Sequence, residues 1–230
     1  MLEILLEFLN RAFEGINIKY LRERSEENAL ARIGADLFEL LIQFERISFT
    51  GRKIIFTLEN YVEGVVLRGN TPRSLALEGT RLEMLELIEK QRLNIKCVIE
   101  DLESRRDISA YASSRSLMKL QEFVWMKRGP LVKLRTYFDE GYYFDRTGEY
   151  LSRSSRNLIR EIDGNIDNSA ENTWTIEQKR RIFSAFDLDG AEDRLNDIDL
   201  EIQKWRDHLN NNMNMEKIIL ELHRRGKFNA

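Results

Sequence analysis

Proline is almost missing from this chain: Pro72 and Pro130 are the only two in 230 residues. Proline removes a backbone donor and breaks a helix interior, so long uninterrupted helices are permitted on either side of these points. Cysteine is scarcer still. Cys97 stands alone, which excludes an internal disulfide, and its setting among Leu93, Ile95, Val98 and Ile99 predicts a buried structural thiol. The two histidines, His208 and His223, have no second cysteine to join them and form no His-x-x-x-His or Glu-x-x-His pair. No zinc or other metal site is therefore expected.

Long apolar runs are lacking too. Leu37 to Ile42 is the longest and already contains Glu39, whereas a membrane-spanning helix needs about 20 mainly apolar residues. The first nine residues have no basic start, and Glu3 and Glu7 interrupt them, so they do not read as a signal peptide. A cytoplasmic protein without a membrane span is the expectation. The phosphate loops Gly-x-x-x-x-Gly-Lys and Gly-x-Gly-x-x-Gly are absent, as is a Gly-x-Ser-x-Gly elbow. No cofactor is expected, and the catalytic residues of any enzyme stay unassigned.

What is present is helical periodicity. Leu37, Leu41, Phe44, Ser48, Gly51, Ile55, Leu58, Val62 and Val65 recur at alternating spacings of four and three, beside a second stripe of Leu40, Ile47, Ile54 and Tyr61. That pattern predicts a long helix packed against others. Ser25, followed by Glu26 and Glu27, suits its start, and Arg68-Gly69-Asn70-Thr71-Pro72 its end. A third helix over about residues 72–106 would carry Leu85, Ile88, Ile95, Ile99 and Leu102, interrupted by Arg81 and Arg92. One stretch conflicts. Residues 47–58 are rich in β-branched and aromatic side chains that alternate about Thr50-Gly51, as a hairpin would. The unbroken seam favours helix there.

Further helices are expected before residue 23, after Ser109, from Pro130, over Leu151 to Ile162, and in three segments after residue 174. The polar stretch 163–174 reads as a linker. The chain is therefore read as all-α: an elongated antiparallel bundle built on a long helical hairpin over residues 1–162, and a smaller C-terminal helical segment over 175–230, which either stands apart or packs on the bundle as one domain.

Charge is uneven. Residues 104–160 carry twelve basic and six acidic side chains, although the whole chain has a net charge of −3. Rings are interleaved with these cations. Arg105, Arg106, Arg115, Lys119, Lys127, Arg128, Lys133 and Arg135 are the candidates for contacts to nucleic acid, by charge to phosphate and by stacking to bases. Neutralisation of acids in the same protein is the simpler reading of such a block. Tyr137-Phe138-Asp139-Glu140-Gly141-Tyr142-Tyr143-Phe144-Asp145-Arg146 is the most site-like stretch. Its Tyr137, Tyr142, Tyr143 and Arg146 are residue types favoured at protein-binding hot spots. The segment Asp187-Leu188-Asp189-Gly190 resembles the entry to a calcium loop, but Ala191, Glu192 and Ile198 occupy the fifth, sixth and twelfth places, where a ligand, Gly and a bidentate Glu are required.

With few reactive residues and many amphipathic faces, the expected function is a non-enzymatic interaction protein: a scaffold, regulatory or assembly subunit that binds protein partners or itself. Nucleic-acid binding through residues 104–160 is the alternative. An enzyme or toxin-like effector with a Tyr/Asp/Arg site near 137–146 is the second alternative.

Overall fold

The computed structural model describes residues 27–68, 77–104, 129–147, 152–166 and 176–226. Among the described residues there are seven helices and no strand: α1 (Glu27–Arg68), α2 (Glu78–Ser104), α3 (Pro130–Thr147), α4 (Arg153–Gly164), α5 (Ile176–Ala185), α6 (Ala191–Asn212) and α7 (Met215–Arg224). The protein is all-α. The helices expected at residues 2–23 and 109–128 and the turn at 69–73 lie outside the described residues. Asp163 and Gly164, the start of the expected linker, close α4, while residues 167–174 are outside the described set.

The seam explains α1. Every one of its nine residues is buried except the half-buried Gly51, and so is the stripe of Leu40, Ile47, Ile54 and Tyr61. Thr50, Thr57 and Gly64, spaced by seven, add a third buried line. Burial over this much of the circumference marks a helix enclosed by neighbours. Residues 47–58 are helical throughout. Their β-like alternation arises because Phe49 and Phe56 fall on the exposed side while the adjacent Thr50 and Thr57 are buried.

Two expectations for α2 are corrected. Its buried line is Met84, Ile88, Gln91, Ile95, Val98 and Leu102, and Leu85 is only half-buried. The frame passes through Arg81 and Gln91, so half-buried Arg81 interrupts the seam as expected, whereas Arg92 lies beside it. The same frame puts Cys97 next to Val98 but on the other side, where it is exposed and not buried.

The chain forms two compact units. One comprises Met1–Ser48, Asn94–Leu120 and Asp193–Ala230; the other comprises Phe49–Leu93 and Gln121–Glu192. In the first unit α1 and α2 pair antiparallel, with Gln43 Nε2 donating to Asp101 and Asn94 Nδ2 donating to the Arg46 carbonyl at 3.4 Å. Helix α6 lies along the seam through Leu195, Ile198, Ile202, Trp205 and Leu209, all buried. Ser48, one of the small seam residues, donates to Asp199 Oδ1 at 2.5 Å, and Arg206 pairs with Glu45 at 2.5 Å. The small side chain therefore makes room for a polar tie between α1 and α6.

Helix α7 starts where the Asn214 side chain accepts from the Lys217 amide at 3.3 Å, which satisfies one of the donors a helix start leaves open. Its Ile218 and Leu222 pack on Ala35 with Phe38, Met213 and Met215 around them. A Cβ at Gly34 would lie 2.6 Å from Ile218 Cδ1 and 2.9 Å from Met213 Sδ, whereas a Cβ at Gly79 would meet nothing within 4 Å. Alanine is a better helix former than glycine by about 0.5–1 kcal/mol. Gly79→Ala should therefore raise stability by about 0.5 kcal/mol. Gly34→Ala should lower it by about 1–2 kcal/mol, because overpacking against α7 outweighs the same gain. Urea-unfolding midpoints at unchanged slope measure both.

The second unit is built around rings. Tyr61 of α1, Tyr137 and Phe138 of α3 and Phe186 after α5 are all buried. They meet edge to face, with centroids 4.9 Å apart for Tyr61–Phe138, 5.1 Å for Tyr137–Phe138 and 5.5 Å for Tyr137–Phe186. Arg81 Nη1 donates to the Phe138 carbonyl at 3.2 Å, which ties α2 to α3. Helix α4 opens on Ser152, whose hydroxyl accepts from the Ser155 amide at 3.2 Å, and it buries Ile159 and Ile162. Helix α5 is held to α1 by the Lys179–Glu59 ion pair.

Candidate functional site

Most of α1 is committed to the core, so its exposed side is informative. Phe49 is 58% exposed and Phe56 is 63% exposed. Seven residues apart, they lie on one line of the helix, about 10 Å from each other. Arg52 and Lys53 are exposed between them, and Lys53 Nζ sits 4.7 Å from the centroid of the Phe49 ring. This gives two turns of helix with an apolar, cationic, apolar pattern. The same unit carries a more acidic face on α2. There Leu82 is 53% exposed and Leu93 is 52% exposed, and Glu83, Glu86 and Glu89 are exposed between them. Single exposed apolar residues are ordinary. The two rings of α1 enclose charge of one sign, whereas exposed Lys90 lies among the glutamates between the two leucines of α2.

The residues singled out from sequence are placed as follows. Tyr137 is 2% exposed. Its hydroxyl donates to Asp163 Oδ1 at 2.9 Å and lies 3.5 Å from the Tyr61 hydroxyl. Burial, then the neighbouring Tyr61 and Asp163, hold the phenol well above its ordinary range. It is a neutral donor inside the unit, with no surface to offer a partner. Tyr142, Tyr143 and Arg146 lie on the last turns of α3, and their side chains are outside the described set. Arg105, Arg106, Arg115, Lys119, Lys127 and Arg128 are outside the described residues as well.

Lys133 and Arg135 both face acids. Lys133 pairs with Asp187 at 2.6 Å and donates to the Ala185 carbonyl at 3.4 Å, and Arg135 lies 3.7 Å from Glu89. The Asp187–Gly190 segment is thus a tight joint between α5 and α6. Asp187, with φ of 59°, is held by Lys133, and Asp189 accepts from Ser184. An aspartate in that left-handed region bears some strain, which the ion pair and the following turn over Gly190 offset. On α4, Arg153, Arg156 and Arg160 are exposed along one side.

A cationic knot in the first unit had no signal in the sequence. Arg225, just past α7, donates to Asp36 Oδ1 at 2.6 Å, to Glu221 Oε1 at 3.0 Å and to the Arg32 carbonyl at 3.3 Å. It also lies 3.7 Å from Glu39, a carboxylate only 7% exposed. Beside it an open groove of about 560 Å³ runs between α1 and α7, lined by Asn28, Ala31, Arg32, Lys217, Leu220, Glu221 and Arg224. Its charges are largely engaged with one another, since Glu221 accepts from both Arg224 and Arg225.

The Arg224 hydrogen bond, with that of Arg225 and both charges, lowers the Glu221 carboxyl from 4.5 to about 2 against the opposing effect of burial. In the unfolded chain this group titrates at its ordinary value. Its contribution is therefore complete above about pH 5 and is lost as pH falls toward 2. Amide exchange of α7, corrected for the intrinsic rate, should accelerate across that window. Glu221→Gln should flatten the dependence.

Among the described residues no group of three or more His, Cys, Asp or Glu side chains could hold a metal ion, and no helix is long and apolar enough to cross a membrane. No protein-family model matches the chain, and neither a curated protein nor a solved structure matches it.

Proposed function

We propose that the chain is a non-enzymatic interaction protein, a scaffold, regulatory or assembly subunit, whose principal contact surface is the Phe49–Phe56 face of α1. The observation that carries this reading is the exposure of two phenylalanines on one line of a helix whose other large apolar side chains are nearly all covered. Removing each ring from water on a partner would contribute about 1.5–3 kcal/mol. Arg52 and Lys53 would steer an acidic partner and fix its orientation. A single free and exposed thiol, Cys97, suits the reducing cytoplasm.

The test is capture of partners by the full chain from nuclease-treated native lysate. The Phe49→Ser/Phe56→Ser variant should lose the specifically retained proteins at unchanged helical content, and a Leu200→Ser control on α6 should retain them. Equal retention by all three would count against this face. Exposed Arg153, Arg156 and Arg160 on α4 favour a second reading, nucleic-acid binding. Its signature is an affinity for single-stranded polynucleotide that falls steeply with salt.

A further inference from the structure

We infer that the arginine stripe of α4 holds the phosphate backbone of nucleic acid, through Arg153, Arg156 and Arg160 and without reading sequence. This contact deepens the nucleic-acid reading proposed above, on which it rests. The three side chains, at spacings of three and four, share one side of the helix and span about 10 Å. They are exposed, while Ile159 and Ile162 on the other side are buried. They belong to the block 104–160, where twelve basic side chains stand against six acidic ones.

The stripe breaks a pattern that other helices keep. The arginines of α2, α5 and α7 each pair with a glutamate three or four residues earlier, as Arg81 does with Glu78 and Arg181 with Glu177. On α4 the places three and four before Arg160 hold Asn157 and Arg156, and those before Arg156 hold Arg153 and Ser152. Asp163, three residues after Arg160, accepts from the Tyr137 hydroxyl. Like charges one turn apart oppose a helix, and a cation in the first turn, as at Arg153, opposes its dipole. An arrangement that costs stability within the fold fits an anion supplied from outside.

The rest of the face selects the anion. Exposed Ser154, Asn157 and Glu161 beside the stripe are polar, and α4 exposes no apolar side chain and no ring. A protein interface needs apolar anchors, and a membrane-surface helix needs a free apolar face. This face of α4 offers neither. All the cations of α4 are arginines, whose planar fork suits the bidentate geometry of phosphate. With no ring to stack on a base, binding rests on charge and on counterion release.

The experiment is fluorescence anisotropy of the full chain with a labelled single-stranded oligonucleotide of mixed sequence, about 20 nucleotides long, across a salt series. Wild type should bind, with an affinity that falls as salt rises. Arg153→Gln/Arg160→Gln should weaken binding about tenfold or more at about 0.1 M salt. It should also reduce the slope of log K against log salt by about 1.4, at about 0.7 per phosphate contact. Its urea midpoint should be unchanged or higher, because the stripe opposes the helix. Arg180→Gln/Arg181→Gln on α5 should keep the wild-type slope, and a second sequence should bind equally well. No binding by wild type would sink the inference together with the reading it rests on. A slope indifferent to the α4 substitutions, or reduced as much by the α5 pair, would overturn the α4 contact alone and leave that reading standing. A lower urea midpoint would overturn it too, by making the arginines structural. Retention on phosphatidylserine vesicles, lost in the α4 variant and without oligonucleotide binding, would assign the stripe to a lipid surface instead.

Discussion

Phe138→Ala is expected to lower the unfolding free energy by about 3–5 kcal/mol. The ring is 2% exposed and lies in edge-to-face contact with Tyr61 and Tyr137, so truncation removes both its buried area and two ring contacts. The cavity would open between α1 and α3 inside one unit. The Arg81 bond to the Phe138 carbonyl holds the backbone in place and limits collapse into the void. Against a typical total of about 5–15 kcal/mol, this substitution alone would leave the unit marginal. Urea denaturation followed by tyrosine fluorescence measures it. Phe138→Leu should cost less than half as much, since most of the volume remains.

Arg225→Met is expected to cost about 2 kcal/mol, discounted from the larger cost of breaking a fully buried pair because the guanidinium retains some contact with solvent. The substitution keeps the length and apolar body of the side chain. It deprives Asp36, Glu39 and Glu221 of one cation at once, and Glu39 is among the least exposed charges of the described residues. Because these acids belong to α1 and α7, the loss should be seen first as faster amide exchange in α7. Combining Arg225→Met with Glu39→Met should recover part of the cost, since an apolar pair replaces a half-broken ionic one. A double-mutant cycle between positions 39 and 225 measures the coupling.

Much of the helical layout is legible in the sequence because it is written in local periodicity. The α1 seam from Leu37 to Val65 and the start of α3 at Pro130 follow from spacing and from breaker residues. The α2 frame is harder to read from spacing because one of its buried positions, Gln91, is polar. Apolar neighbours in sequence suggest burial for Cys97, yet it lies one residue off the buried line at Val98 and is exposed.

The candidate surface was less legible. Phe49 and Phe56 are strong core formers by composition, and only their departure from the seam reveals that they face outward. Tyr137 shows the converse: a tyrosine among acids and an arginine resembles a hot spot, yet its partners are a ring cluster and Asp163. Arg225 and Asp36 are 189 residues apart, and no local pattern links them. Long-range pairs of this kind are set by which helices pack together, which the spacing within one helix does not encode.

The exposed side of α1 carries the central functional claim, and site-specific photo-crosslinking tests it most directly. A benzophenone side chain is placed at position 56 of the full chain, with the same group at the exposed Ile176 of α5 as control. Irradiation in the native cell should give discrete protein adducts from position 56 and far fewer from position 176. Equal, diffuse labelling from the two positions would contradict the account, because the phenylalanines of α1 would then meet nothing but solvent.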